Sequence, residues 1–193
     1  MARTIVVLGC GESLTQADVD YCRGKAEVLA VNDAYRLAPW ADWHYAADVQ
    51  WWGMYFRQVK SDFHGECYTQ SDQAAEWYGL KYIKSVDEPG LSRDPMVIHQ
   101  NGNSGAQAMN LAYHLGAQRI VLLGFDLCGS HFHGQHPAPL NNPIPLSFQV
   151  WQQGFHALAE GLAWEGIKVF NCSRHTKLTG FTRGNLETIL GDE

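Results

Sequence analysis

Short apolar runs alternate along the chain with longer stretches whose apolar positions recur at helical spacing. Strands are expected over residues 4–8, 27–31, 43–46, 66–69, 81–83, 120–123 and 168–171. Helices are expected over 15–22, 49–60, 71–78, 104–115, 146–164 and 185–190. Alternation of this kind predicts parallel strands joined by crossover helices that cover both faces of the sheet. The fold class is therefore α/β: a doubly wound, mostly parallel Rossmann-like sheet, with residues 1–193 as one nucleotide-binding domain and neither repeat nor linker.

Two loops in this pattern carry chemistry. Asn101-Gly102-Asn103-Ser104-Gly105 opens the helix at 104–115, Gly116 closes it, and the strand that follows ends in Gly124-Phe125-Asp126. Polar groups thus sit at a helix N-terminus and a strand C-terminus, which face each other in α/β proteins. Backbone N–H groups at the helix start can accept a phosphate or carboxylate. Asn103 or Ser104 can cap the helix or reach a ligand, and an ordinary capped crossover helix is the plainer alternative. The second loop, Gly9-Cys10-Gly11-Glu12-Ser13-Leu14, reads as the opening of a nucleotide-binding βα unit. It departs from the dinucleotide fingerprint: Leu14 stands in place of the third glycine, and Glu12 brings a carboxylate to the pyrophosphate position. Asp33 lies near the spacing of a ribose-binding acid, but a nucleoside monophosphate half held by Gly9, Gly11, Ser13 and Asn32 fits better. The expected nucleotide-binding set is Gly9, Gly11, Ser13, Asn32, Asp33, Asn103, Ser104 and Gly105.

The long irregular stretch at 127–145 holds four prolines, three histidines and two glycines, and reads as a lid. His131, His133 and His136 follow Asp126 closely, at the carboxyl ends of the strands where such sheets place their ligands. One of them is expected to act as general base on an acceptor hydroxyl or as general acid on a leaving phosphate. The same histidines with Asp126 can instead ligate zinc or a related ion, and a solvated polar loop is the third alternative. The candidate catalytic residues are His131, His133, His136 and Asp126, with no metal assigned. Asp48 ends the third strand and can bind a sugar hydroxyl or a metal, or cap the helix beginning at Val49. Adjacent Trp51 and Trp52 cannot both face one core from a helix, which sets one of them against a ligand, a lid or a partner.

Composition narrows the classes. At 193 residues and 46% hydrophobic content the chain can bury a sizeable core. No apolar run reaches the roughly 18 residues of a membrane span, and the apolar run before Gly9 is too short for a signal peptide. Five cysteines without a CxxC pair read as reduced thiols, and the expected location is the cytoplasm. Net charge is −6 with scattered Lys and Arg, the opposite of what binding to a nucleic-acid backbone asks for. The acceptor and the oligomeric state, a homo-oligomer included, stay open.

Taken together, the Gly9–Leu14 turn, Val31-Asn32-Asp33, Asp48, Gly102-Asn103-Ser104-Gly105 and the run from Ala112 to Asp126 resemble the pattern shared by bacterial family-42 sialyltransferases and the domain of unknown function 115. The latter includes archaeal-type 6-hydroxymethylpterin diphosphokinases, and small phage-encoded proteins share this look. The resemblance implies a Rossmann-like fold and a glycosyltransferase-like reaction on a nucleotide-activated sugar, with cytidine monophosphate as the donor's nucleotide. It carries the donor contacts onto Gly9, Gly11, Ser13, Asn32, Ser104 and Gly105, and the general base onto His131, His133 or His136. Gly-Cys-Gly-Glu stands where that family usually has Gly-Asn-Gly-Pro. The kinase relatives imply instead ATP and magnesium held by Asp48 and Asp126. A phage accessory protein that binds a nucleotide without turnover is the third implied reading.

Overall fold

The computed structural model describes residues 2–191. Strands β1 (Thr4–Leu8), β2 (Glu27–Val31), β3 (Trp43–Tyr45), β4 (Glu66–Thr69) and β5 (Lys81–Tyr82) alternate with helices α1 (Gln16–Cys22), α2 (Val49–Asp62) and α3 (Asp72–Tyr78). A short 3₁₀ turn, Asn32–Arg36, follows β2. Then come β6 (Lys84–Val86), β7 (Val97–His99), α4 (Ser104–His114), β8 (Arg119–Leu123), α5 (Pro145–Trp164), β9 (Lys168–Asn171), β10 (Thr182–Arg183) and α6 (Leu186–Leu190).

Eight strands form one sheet in the order β5-β4-β3-β2-β1-β8-β9-β10, and every pairing in it is parallel. Side chains alternate across each strand. Ile5 and Val7 of β1, with Ile120 and Leu122 of β8, pack into a core with Met109 and Ala112 of α4 and Phe155, Leu158 and Leu162 of α5. Val6, Leu8, Val121 and Leu123 enter the opposite core with Val19 of α1, Trp52 and Val59 of α2, and Leu186 and Leu190 of α6. Both faces are covered, which is why β1 and β8 are apolar at successive positions. The sheet grows outward from β1 through β2–β5, then the chain returns to β1's other edge with β8. That reversal makes the carboxyl ends of β1 and β8 the topological switch point, where open α/β sheets hold ligands.

Three strands escape the hydrophobic pattern: β6 and β7, which pair only with each other, and β10. Each is two or three residues long, too short for an alternation to register. Among the described residues no helix is long and apolar enough to cross a membrane. The five cysteines are free thiols.

Candidate functional site

The tips of β1 and β8 lie in backbone contact. Gly9 N–H donates to Leu123 O and Gly11 N–H to Gly124 O, both at 2.8 Å. A Cβ on Gly9 would meet Gly124 O at 2.6 Å, and one on Gly11 would meet Asp126 Cγ at 2.5 Å. These glycines therefore let two loops touch, and their N–H groups are already spent on protein carbonyls rather than offered to a phosphate. Ser13 is committed in the same way. Its N–H donates to Asp126 Oδ2 at 2.8 Å, and its hydroxyl donates to Asp126 Oδ1. Asp126 is 2% exposed, with His175 Nε2 at 3.4 Å from Oδ2. The pair staples the two loops together. Glu12 turns toward the lid, where Ser130 N–H donates to its Oε2 at 3.4 Å.

A pocket of about 370 Å³ opens above this staple, within the size range of small-molecule sites. Of the residues expected from sequence, Gly9, Gly11, Asn32, Asp48, Asn103, Ser104, Gly105, Asp126, His131 and His136 line it, while Ser13, Asp33 and His133 do not. Helix α5 adds a wall of Phe148, Trp151 and Phe155 that was not anticipated, although their i, i+3, i+7 spacing marks one helical stripe. Gln50, Asn141 and Asn142 are also new to the lining. At the start of α4 the cap is Asn103: its Oδ1 accepts from Gly105 N–H at 2.8 Å and Ala106 N–H at 3.2 Å. Two of the helix-start donors expected to hold a phosphate are thus taken up by the cap, and Ser104 stays in the pocket wall. Among the described residues, neither Lys nor Arg lines the pocket.

Backbone strain concentrates here. Among the described residues, the three non-glycine positions with left-handed φ are Asn32 (46°), Asn101 (50°) and Leu127 (52°). Asn32 and Leu127 line the pocket, and Asn101 adjoins its Gly102. Such conformations cost about 1–3 kcal/mol each and cluster at ligand sites. Asn32 is held by His44, whose Nε2 lies 2.8 Å from its carbonyl. The neighbouring Cys10 thiol donates to Val31 O at 3.1 Å, and burial pushes its pKa up to about 12, which favours the protonated thiol.

Asp33 lies outside the pocket lining. Its Oδ2 accepts from Trp51 Nε1 at 2.9 Å and its Oδ1 pairs with Arg36 at 2.8 Å. Trp51 and Trp52 both enter the same core, contrary to the expectation that adjacent rings on a helix cannot: their rings meet edge to face at 5.2 Å, Trp52 N–H donates to Ala46 O, and Trp51 also reaches the pocket wall. Above Asp33 lies the lid, pinned by Phe132 N–H to Cys10 O at 2.9 Å and by a reciprocal pair between His136 and Asn142 at 2.7 and 3.0 Å. Burial and mutual repulsion lower the proton affinity of His131, to about 4, while burial is the main cause for His133 and His136. Withdrawal from water therefore favours the neutral ring in all three. Each also buries one nitrogen without a hydrogen bond: Nδ1 of His131, Nε2 of His133 and Nδ1 of His136. Orphaned groups of this kind cost about 1–3 kcal/mol apiece.

Asp48 behaves in the opposite sense. It occupies the N-cap position of α2 without a side-chain capping bond, and stands at the rim of the pocket. Desolvation by the surrounding protein raises the carboxyl above its ordinary value, although the residue keeps contact with solvent. Comparison of the chain with protein families, curated proteins and solved structures finds no match.

Proposed function

We propose that the chain is a nucleotide-binding transferase that moves a group from a nucleotide-activated donor to a hydroxyl acceptor, with a cytidine-linked sugar as the first donor to test. The observation that carries this reading is the pocket at the β1/β8 switch point, walled by aromatic rings on one side and strained, amide-rich loops on the other. Trp151 and Phe148 offer faces for a base, and Asn32 and Ser104 offer hydrogen bonds to ribose and phosphate. Asp48 takes the proton of the acceptor hydroxyl. The acceptor oxygen then bonds to the transferred carbon as the bond to the leaving phosphate breaks, and its electrons pass to the phosphate oxygen. Asp48 takes this role rather than a lid histidine because its carboxylate lines the pocket without being spent on a helix cap, whereas the lid rings gather against one another and Asp33.

Release of free nucleotide on incubation with donor and hydroxyl acceptors tests the reaction. Asp48→Asn is expected to lower turnover by about 10²–10⁴-fold while nucleotide affinity and melting temperature stay near those of the parent. Nucleotide binding by the parent with no release from any activated donor would contradict a transferase and leave a nucleotide-binding protein without turnover.

A further inference from the structure

The lid brings three imidazoles into one small volume. His131 and His133 are separated by one residue, so their rings fall on the same side of the chain and stack at 5.0 Å with an interplanar angle of 6°. Gly134, at φ 87°, then turns the chain. The turn returns His136 to within 4.5 Å of the His131 ring and 4.8 Å of the His133 ring, centroid to centroid. One nitrogen from each ring lies within 4.8 Å of the other two, and among the described residues no other group of three metal-ligating side chains converges in this way. His133 Nε2 and His136 Nδ1, both orphaned, each lie 3.8 Å from Asp33 Oδ2. A general base needs one histidine with a hydrogen-bonded orienting partner. Three imidazoles that bring a nitrogen each within 4.8 Å of the others, two of them with orphaned nitrogens beside a buried carboxylate, satisfy a different requirement.

We propose that His131, His133 and His136 bind one divalent cation of the zinc type, with Asp33 as the carboxylate beside them and an open coordination position toward the pocket. Neutral imidazoles are ligands for zinc and its transition-metal neighbours rather than for magnesium or calcium, and three protein ligands with an open position are the arrangement of reactive rather than structural zinc. Bonds of about 2.0–2.1 Å contract the trio onto the ion. Asp33 is fixed by Trp51 and Arg36, so its charge stays beside the site whether or not it reaches the cation. His131 and His136 also line the pocket, whose walls lack Lys and Arg among the described residues. A dication there supplies the positive charge a donor phosphate needs; this use rests on the transferase reading, whereas the metal site itself does not.

The test uses the full chain without a histidine tag, stripped by a chelator and titrated with zinc, and in parallel with cobalt as a spectroscopic probe. One equivalent of zinc is expected to bind and raise the melting temperature, with cobalt giving the visible bands of a four- or five-coordinate nitrogen site. His131→Gln, His133→Gln and His136→Gln are each expected to weaken binding by about tenfold or more, and Asp33→Asn by about 10–100-fold. Imidazole nitrogen resonances of the parent give a second readout that no variant's folding can obscure: zinc is expected to move those of the three lid histidines and not that of His44. Zinc binding no stronger than to the triple glutamine variant, or unmoved lid resonances at one equivalent, would overturn the site. Nucleotide binding is scored separately on the stripped and zinc-loaded protein. Stoichiometric zinc without nucleotide binding in either form overturns the transferase reading alone and upholds the metal centre.

Discussion

His44 shows how one buried side chain ties stability to the site. Its ring is fully buried among Tyr35, Trp51, Trp52 and Phe63, and it holds the carbonyl of strained Asn32. Burial pushes its pKa down to about 4, whereas the unfolded chain restores about 6.5. The unfolded state therefore binds the extra proton between these values. Stability from the neutral ring is complete above about pH 6.5 and is lost as pH falls toward about 4, at about 1.4 kcal/mol per pH unit. Denaturant titrations at stepped pH should show this slope in the parent and a shallower one in His44→Gln; equal slopes would contradict the assignment. A second residue-scale test concerns the staple. Ser13→Ala and Asp126→Asn should each destabilise by about 1.5–3 kcal/mol, because a buried charged hydrogen bond is broken. The double variant should reveal coupling of at least about 0.5 kcal/mol, and strict additivity would mean the two do not act on each other. Nothing in the sequence pairs Ser13 with Asp126, since 113 positions separate them and only the β1–β8 register brings them together. The glycines were visible as glycines; that they admit a neighbouring backbone rather than a phosphate depends on the same long-range contact.

At the scale of elements, the cap and the wall of α4 separate cleanly. Asn103→Ala removes the acceptor for two helix-start N–H groups and should cost about 0.5–2 kcal/mol of stability. Ser104→Ala should leave the melting temperature near that of the parent and weaken nucleotide binding, by about 0.5–1.5 kcal/mol for one hydrogen bond. The reverse ordering in melting and binding experiments would exchange their roles. Sequence reading could name both residues but could not divide the work, because capping is decided by the backbone angles at Asn103 (φ −149°, ψ 130°). Helices α1–α6 and the strands from β1 to β5, β8 and β9 were legible within a residue or two, since each carries its own hydrophobic period. The small β6–β7 sheet was not, because its three-residue strands sit among turn-forming residues such as Pro89 and Gly90. The lid was legible as irregular, and its histidines as chemically important. Their convergence was not, because it depends on the turn at Gly134 and on the hydrogen bond from Phe132 to Cys10.

At the scale of the whole molecule, two hydrophobic cores on opposite faces of one sheet hold the β1 and β8 tips in contact, and the pocket exists because the strand order reverses there. The doubly wound architecture followed from the alternation of elements. The α5 wall did not, because which helix covers the switch point is set by the path of the lid rather than by any local pattern. The most direct measurement is the melting temperature of the chain across mononucleotides and dinucleotides, repeated with the aromatic wall altered by Trp151→Ala. Cytidine mono- or diphosphate at about 100 times its dissociation constant should stabilise the parent by about 2.7 kcal/mol. That shift should exceed the one given by adenine dinucleotides and should shrink in Trp151→Ala. A larger shift with NAD would contradict the mononucleotide donor, and a mononucleotide shift that Trp151→Ala leaves untouched would contradict binding in the switch-point pocket.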